Sequence, residues 1–341
     1  MIADPRDRGG PAQPLLSVKG LAKHFGAKPS FFHKNPTVVR AVDGIDFEVI
    51  KGETLGIVGE SGCGKSTTAR LIMHIITPDQ GDIVFDGEAV GSEALPLGQF
   101  RRQVQMVFQD SYASLNPRLT VENTVAFGPK VHGLGVRAAL ERAHDLLQRV
   151  GLDPRRFGGR YPHELSGGQR QRVNIARALA LQPRLLILDE AVSALDKSVE
   201  AQVLNLLLDL KAEFGLTYMF ISHDLDVVRF IADRVMVMYL GKVAEIGQAE
   251  AILDRPAHPY TTALLTSMPS MDPDNRTEEA PLTGDPPNPI NPPPGCRFHT
   301  RCAFNAAPCG VDEPMLAGAP EHRTACHLVN PASGHPQARP Q

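Results

Sequence analysis

An α/β protein, in which a sheet carries helices on its faces, is the fold class this sequence predicts, and three observations predict it. From residue 15 to about 255, apolar strand-like runs alternate with amphipathic helical ones, the pattern of such layers. Within that span "ETLGIVGESGCGKSTTARLIMHI" reads as a buried strand ending at Val58, a glycine-rich turn, and a helix beginning near Lys65. Later, the continuous apolar run Leu185–Leu188 has the composition of a central parallel strand covered on both faces. At 341 residues the chain can bury one large α/β core with an appendage, or two domains.

The ends of the chain read differently. Residues 1–14, "MIADPRDRGGPAQP", have charges and prolines where a signal peptide has an apolar stretch, so a short disordered leader on a cytoplasmic protein is expected. From Pro281 to Pro294 seven prolines in fourteen residues forbid helix and central strand and predict an extended linker. Residues 331–341 are expected to be a loose tail, and no internal repeat is present. The formal net charge of −3, from 35 basic and 38 acidic residues, gives no reason to expect nucleic acid or an anionic membrane surface as the main partner. No run of roughly 18 apolar residues occurs, so no spanning helix is expected.

The glycine-rich turn has the spacing G-x-x-x-x-G-K-S at Gly59, Gly64, Lys65 and Ser66. Glycines allow successive backbone N–H groups to turn inward around phosphate oxygens, and the helix N-terminus adds partial positive charge. Gly59, Glu60, Ser61, Gly62, Cys63, Gly64, Lys65, Ser66 and Thr67 are therefore candidates to hold a nucleotide. Lys65 would neutralise the β- and γ-phosphates and Ser66 would hold Mg²⁺. A purely structural glycine turn is the alternative, disfavoured by the strand and helix on either side. Cys63 reads as a small space-filler, or as a reactive thiol if it is partly exposed near the helix N-terminus.

Two carboxylates, Asp189 and Glu190, follow the apolar run, at the strand end where open α/β sheets bind ligands. Asp189 is placed to orient Mg²⁺ through water and Glu190 to orient or deprotonate an attacking water. In "LSGGQRQRVNIARALA", Ser166, Gly167 and Gly168 precede a helix whose residues Val173, Ile175, Ala176 and Leu179 give it a core-facing side. That turn is a second anion site at a helix N-terminus, or simply a Ser-capped helix.

Taken in order, Gly59–Ser66, Gln109, Leu165–Gln169, Leu185–Glu190, Ser193–Asp196 and His223 resemble the nucleotide-binding subunit of ABC transporters: Walker A, Q-loop, signature, Walker B, D-loop and switch histidine. The resemblance implies a P-loop NTPase core with a mixed sheet and flanking helices, a helical subdomain over about 113–170, and two subunits packed head to tail. Ser166, Gly167, Gly168 and Gln169 of one subunit would then complete the site built on Lys65 of the other. It further implies that His223 touches the γ-phosphate, that Gln109 senses the metal and the transporter interface, that Asp196 links the two sites, and that Phe25 stacks on adenine. Read without the family, Phe25 is a core residue and His223 a polar group at a helix N-terminus.

"QMVFQDSYASLNPRLTV", "YPHELSGGQRQRVNIARAL" and "HPYTTALL" at His258–Leu265 narrow the resemblance to the oligopeptide/dipeptide importer ATPases over about 15–330, with residues 256–330 as that branch's C-terminal extension. This implies an ATPase on the cytoplasmic face of the membrane, working with a second ATPase subunit, which the family often draws from a different chain and which is otherwise a second copy, two permease subunits and a solute-binding protein. Peptides are the implied cargo. The same machine importing nickel, an opine or glutathione is the alternative, as is a soluble ABC ATPase without a transporter. Two departures are visible: Ala191 follows the catalytic glutamate where the family has Pro, and Ser111 replaces Pro after the Q-loop. Neither removes a charged or hydrogen-bonding group, so hydrolysis is expected to survive.

Cys296, Cys302, Cys309 and Cys326, four of the five cysteines, are spaced C-x5-C-x6-C-x16-C in a segment with little apolar content of its own. In a reducing compartment such clustered cysteines favour metal over disulfide, and a metal centre could serve as the segment's core. Four thiolates suit tetrahedral Zn²⁺ or an iron-sulfur cluster. The gaps are wider than zinc-ribbon pairs, and the resemblance implies a 4Fe-4S cluster, expected to be structural because nothing nearby reads as a redox substrate site; unliganded thiols in a loose segment are the third reading. His299, His322 and His327 lie close enough in sequence to substitute as ligands, but with four cysteines present they are expected at the surface.

Overall fold

The computed structural model describes residues 13–26, 38–267 and 287–339, together with Asp7 and Gly10. Most of the expected leader and the first part of the expected proline linker lie outside the described residues. In chain order come β1 (Pro14–Gly26), β2 (Val38–Ile50), β3 (Thr54–Val58), α1 (Lys65–Ile72), β4 (Gln80–Phe85), β5 (Glu88–Ala89), α2 (Leu97–Gln103) and β6 (Val104–Val107). Next are α3 (Val121–Val131), α4 (Val136–Arg149), α5 (Pro154–Phe157), α6 (Gly167–Leu179), β7 (Leu185–Asp189), α7 (Lys197–Phe214) and β8 (Thr217–Ile221). The rest are α8 (Leu225–Ile231), β9 (Arg234–Tyr239), β10 (Lys242–Gln248), α9 (Ala249–Asp254), α10 (Pro259–Thr266), β11 (Ala317–Ala319) and β12 (His322–Thr324). The chain folds as two compact units, one holding Val49–Thr54 and Val84–Ser222 with the residues up to Leu16, the other Ser17–Glu48, Leu55–Ile83 and everything from His223 onward.

In the first unit β6, β7 and β8 are parallel, with Val104 opposite Leu185 and Asp189 opposite Ile221. Every residue of β7 and β8 is buried, which is why the run Leu185–Leu188 carries no polar alternation. Asp196 starts α7 by accepting the Val199 N–H, and Gly215, at φ 62°, ends it in the left-handed conformation. Between β6 and β7, α3 packs on α4 and both pack on α6. Ala139, Ala143, Leu146 and Leu147 are the buried stripe of α4, a spacing that places them on one face.

In the second unit β3 runs parallel to β9, with Leu55 opposite Arg234 and Val58 opposite Val237. Strand β10 is antiparallel to β9, so parallel and antiparallel pairings share one sheet, as a mixed fold requires. Strands β12 and β11 then continue it antiparallel. The C-terminal segment therefore adds strands to a sheet edge and is not a free-standing module. It also borrows a core: Phe298, 3% exposed, packs its ring 5.4 Å from those of Tyr239 and Tyr260.

Residues 331–339 differ from the loose tail expected. Pro331–Ser333 form a short 3-10 turn, the Arg339 N–H donates to the Leu328 carbonyl at 2.8 Å, and buried His335 places Nε2 2.8 Å from the Phe304 carbonyl. These polar contacts hold a stretch whose low apolar content suggested disorder.

Candidate functional site

The glycine-rich turn belongs to the second unit. Gly59, at the end of β3, has φ 148°, and a Cβ there would lie 2.2 Å from the Met238 carbonyl oxygen. At Gly64, φ 111°, a Cβ would lie 2.3 Å from the Ala41 carbonyl oxygen. Only glycine satisfies both the conformation and the close approach, so the loop's path is written in these two positions. Lys65 opens α1 from a buried position and donates to the carbonyls of Gly59 at 2.7 Å and Glu60 at 3.0 Å. Ser66 and Thr67 follow in the first turn, while Ser61 and Gly62 are exposed. Burial pushes the Cys63 thiol up, and its carbonyl accepts the Gly241 N–H at 2.9 Å; the side chain fills space, the first of its two expected readings.

Glu60 carries contacts that the motif alone does not announce. Its N–H donates to Tyr260 Oη at 2.9 Å, and its carboxylate takes two bonds from Arg301 at 2.8 and 3.2 Å. Phe25, near the end of β1, is 40% exposed and so is not the core residue that a reading without the family gives. The Lys23 ammonium stands 5.7 Å from its ring centre. His223 is exposed just ahead of α8, whose N-terminus is capped by Asp224 through the N–H groups of Asp226 and Val227.

The first unit carries the acids and the signature turn. Asp189, buried, ends β7. Glu190 follows with φ 48°, a left-handed backbone that a non-glycine residue adopts at a cost, and its N–H donates to the Ile221 carbonyl at 3.0 Å. Gln109 Nε2 donates to Glu190 Oε2 at 2.7 Å, so two residues picked separately from the sequence are brought together. Ser166 caps α6 in a reciprocal box: its hydroxyl accepts the Gln169 N–H at 3.3 Å and Gln169 Oε1 accepts the Ser166 N–H at 3.0 Å. Gly167 follows as the first residue of α6. At Gly168 a Cβ would meet Val199 Cγ1 at 2.4 Å, so the second glycine lets α6 approach α7. Hydrogen bonds from the Val199 N–H and Ser198 hydroxyl hold the Asp196 carboxyl below the usual range. Of the two departures from the family pattern, Ser111 bonds Asn174 through its carbonyl at 3.1 Å, a group that proline would also supply. Ala191 is simply buried.

Cys296, Cys302, Cys309 and Cys326 line one cavity of the second unit, together with Phe298 and Phe304. Burial pushes the Cys296 thiol up to about 11 and Cys326 up to about 12, with the neighbouring cysteines adding to both; Cys302 is raised by burial too. Thiolates gathered there without a cation would repel one another in a dry setting. Of the nearby histidines, His299 and His327 line the same cavity, and none of His299, His322 and His327 is exposed as expected. His299 Nδ1 lies 2.8 Å from the Cys296 carbonyl, and buried His327 has Nε2 2.8 Å from the Asp312 carbonyl. His322 Nε2 lies 2.5 Å from the fully buried Glu245 carboxylate. Among the described residues no group of three or more His, Cys, Asp or Glu is arranged to hold a metal ion.

Comparison with known proteins shows the family. A family model described as "ABC transporter" matches residues 42–193, and one described as "Oligopeptide/dipeptide transporter, C-terminal region" matches residues 244–309. The chain is 49% identical over 322 residues to the probable peptide ABC transporter ATP-binding protein y4tS of Sinorhizobium fredii, covering 94% of this chain and 91% of that one. It is 48% identical over 322 residues to the oligopeptide transport ATP-binding protein AppF of Bacillus subtilis, covering 93% and 98%. Similar solved structures include cbiO1 of Clostridium perfringens, part of an ABC transporter complex, at TM-score 0.61 and 29% identity over 71% of this chain and 91% of that one. A dimeric ATP-binding cassette in a post-hydrolysis state with ADP and Pi matches at TM-score 0.59 and 28% identity, over 69% and 98%.

Proposed function

Because the chain belongs to the ATP-binding proteins of the oligopeptide/dipeptide ABC transporter family, we propose that it hydrolyses ATP to drive the import of peptides. The observation that carries the hydrolytic part is Glu190, held in a left-handed backbone at the end of β7 with Gln109 on its carboxylate. In this reading residues 15–255 are the ATPase domain, with a helical subdomain over about 113–170, and residues 256–330 are the peptide-branch extension.

Phe25 stacks on the adenine and the backbone of Gly59–Thr67 wraps the phosphates. Lys65 exchanges its loop carbonyls for β- and γ-phosphate oxygens. Mg²⁺ supplies charge neutralisation at the transferred phosphoryl group; Ser66, Gln109 and Asp189 would hold it, directly or through water. Glu190 orients and deprotonates the attacking water while His223 contacts the γ-phosphate. Ser166, Gly167, Gly168 and Gln169 of a second subunit close over the nucleotide, and Asp196 links the paired sites. Membrane permeases are the expected working partners; that the second ATPase subunit is a different chain and that a solute-binding protein delivers the cargo are further parts of the proposal. Attachment would be peripheral, at the cytoplasmic face: no helix among the described residues is long and apolar enough to cross a membrane.

The four cysteines fit a metal centre by their chemistry, four soft donors facing one cavity. Cys296, Cys302, Cys309 and Cys326 would hold a 4Fe-4S cluster, which supplies positive charge that keeps the thiolates ionised and a rigid tie for their segment.

Glu190→Gln tests the hydrolytic assignment. It keeps the side chain's shape and is expected to retain MgATP binding while steady-state turnover falls by roughly 10²–10⁴-fold, the usual worth of a positioned base. Turnover at the unmutated rate would remove Glu190 from its role.

A further inference from the structure

We infer that Arg301 and Tyr260 are positioning residues for the phosphate loop, and that through them the C-terminal cysteine segment sets how tightly nucleotide is held. The inference rests on the ATPase reading above. Its centre is Glu60, whose three polar groups are all engaged within the second unit. The Glu60 N–H donates to Tyr260 Oη at 2.9 Å, its carboxylate accepts from Arg301 Nη1 at 2.8 Å and Nη2 at 3.2 Å, and its carbonyl accepts from Lys65 Nζ at 3.0 Å. One residue thus connects the C-terminal segment to the loop backbone and, until Lys65 exchanges its loop carbonyls for phosphate oxygens, to that ammonium.

The charges explain why such a device is needed. A nucleotide-binding loop works through backbone N–H groups and a lysine, and a carboxylate beside it repels the phosphates it must hold. Glu60 is such a carboxylate. The Arg301 guanidinium answers it fork to fork, with a side chain only 6% exposed against 21% for Glu60, so the pair is largely shielded from solvent. Arg301 is itself fixed: it donates to Tyr239 Oη at 3.3 Å, lies 6.0 Å from that ring's centre, ends the 3-10 turn His299–Arg301, and is followed directly by Cys302. Tyr239, Tyr260 and Phe298 pack with ring centres 4.5 to 5.4 Å apart and form the apolar wall behind both contacts. Tyr260 is fully buried, so its hydroxyl reaches Glu60 from a position with little freedom.

The test is titration of MgATP into the full-length wild-type chain and three variants, with kcat and KM read alongside. Arg301→Met is expected to raise the Kd for MgATP about tenfold, the scale of one poorly screened charge contact. KM should rise with it while kcat holds, as for a loss of uniform binding. The double variant Glu60→Gln with Arg301→Met removes the carboxylate as well, and its Kd should return toward wild type, an outcome that a merely weakened fold would not produce. Tyr260→Phe keeps the ring and loses only the acceptor of the Glu60 N–H, so a smaller rise in Kd is expected. Unchanged binding by Arg301→Met, or a double variant no tighter than Arg301→Met, overturns the inference while leaving the ATPase reading intact. A wild-type chain that fails to bind MgATP overturns both.

Discussion

Asp86→Asn isolates a buried charge network at the root of β7, the strand that ends in Asp189. The Asp86 carboxylate lies 2.7 Å from Arg184 Nη1 and 2.9 Å from Lys51 Nζ, with side-chain exposures of 5, 7 and 14% for Asp86, Arg184 and Lys51. Arg184 directly precedes β7: its N–H donates to the Gln103 carbonyl at 2.7 Å and its carbonyl accepts the Thr217 N–H at 3.0 Å. Asp86 sits at φ 50°, and asparagine tolerates that left-handed conformation as well as aspartate does, so the substitution keeps backbone and shape while removing the charge and turning one of the two acceptor oxygens into an N–H donor. Lys51 retains Asp7 as a partner, whereas Asp7 is 3.7 Å from Arg184 Nη2. Arg184 therefore bears most of the loss. Removing one partner of a buried pair costs roughly 3–5 kcal/mol, against about 0–1 kcal/mol for an exposed one. With one of the two cations still paired, the expected loss is about 3 kcal/mol. Urea unfolding followed by far-UV circular dichroism measures it as a fall in midpoint at constant slope. A loss below about 1 kcal/mol would mean that water already screens the network and that the exposures mislead.

Two further outcomes are expected. Protein purified without oxygen should carry iron with matching sulfide and a visible absorption band, and Cys309→Ser should lower both; stoichiometric zinc, or no metal, would end the cluster proposal. His258 is expected to make the fold acid-labile: burial brings its pKa from 6.5 down to about 4, against a smaller opposing pull from the Glu245 carboxylate. Below pH 6.5 the unfolded chain takes a proton that the native state refuses, so this contribution is complete at neutral pH and is lost as pH falls from about 6.5 toward 4, amounting to about 3 kcal/mol. His258 Nδ1 caps α10 by accepting the Tyr260 N–H at 3.0 Å, and asparagine can cap in its place. His258→Asn should thus flatten the fall in urea midpoint over that window, and an unaltered slope would refute the assignment.

What was legible in the sequence was what neighbouring residues decide among themselves. The phosphate loop is such a case, because the strand, the glycines and the helix start lie within a few residues and each constrains the next. The apolar run of β7 and the Ser166 cap are others. The left-handed backbone of Glu190 was not legible, since nothing in its side chain asks for that conformation and strand β8 supplies the carbonyl that holds it. Contacts between distant parts of the chain escaped for the same reason: Gln109 and Glu190 are 81 residues apart, Glu60 and Tyr260 200, Glu60 and Arg301 241.

The C-terminal segment shows how that gap misleads. Counted alone, its few apolar residues predict a stretch without a core, which is why a metal centre looked like its means of folding. Packing supplies two other means, a sheet edge for β11 and β12 and the wall of Tyr239 and Tyr260 against which Phe298 rests. A cluster at the four cysteines therefore has less folding to account for than the sequence suggested. That shifts the argument for retaining these residues toward what lies between the first two cysteines. Arg297 donates to the Leu240 carbonyl at 2.7 Å and pairs with Asp43, while Arg301 pairs with Glu60 in the phosphate loop. A centre that held Cys296 and Cys302 would also hold both arginines, and through Arg301 its effect would reach Glu60.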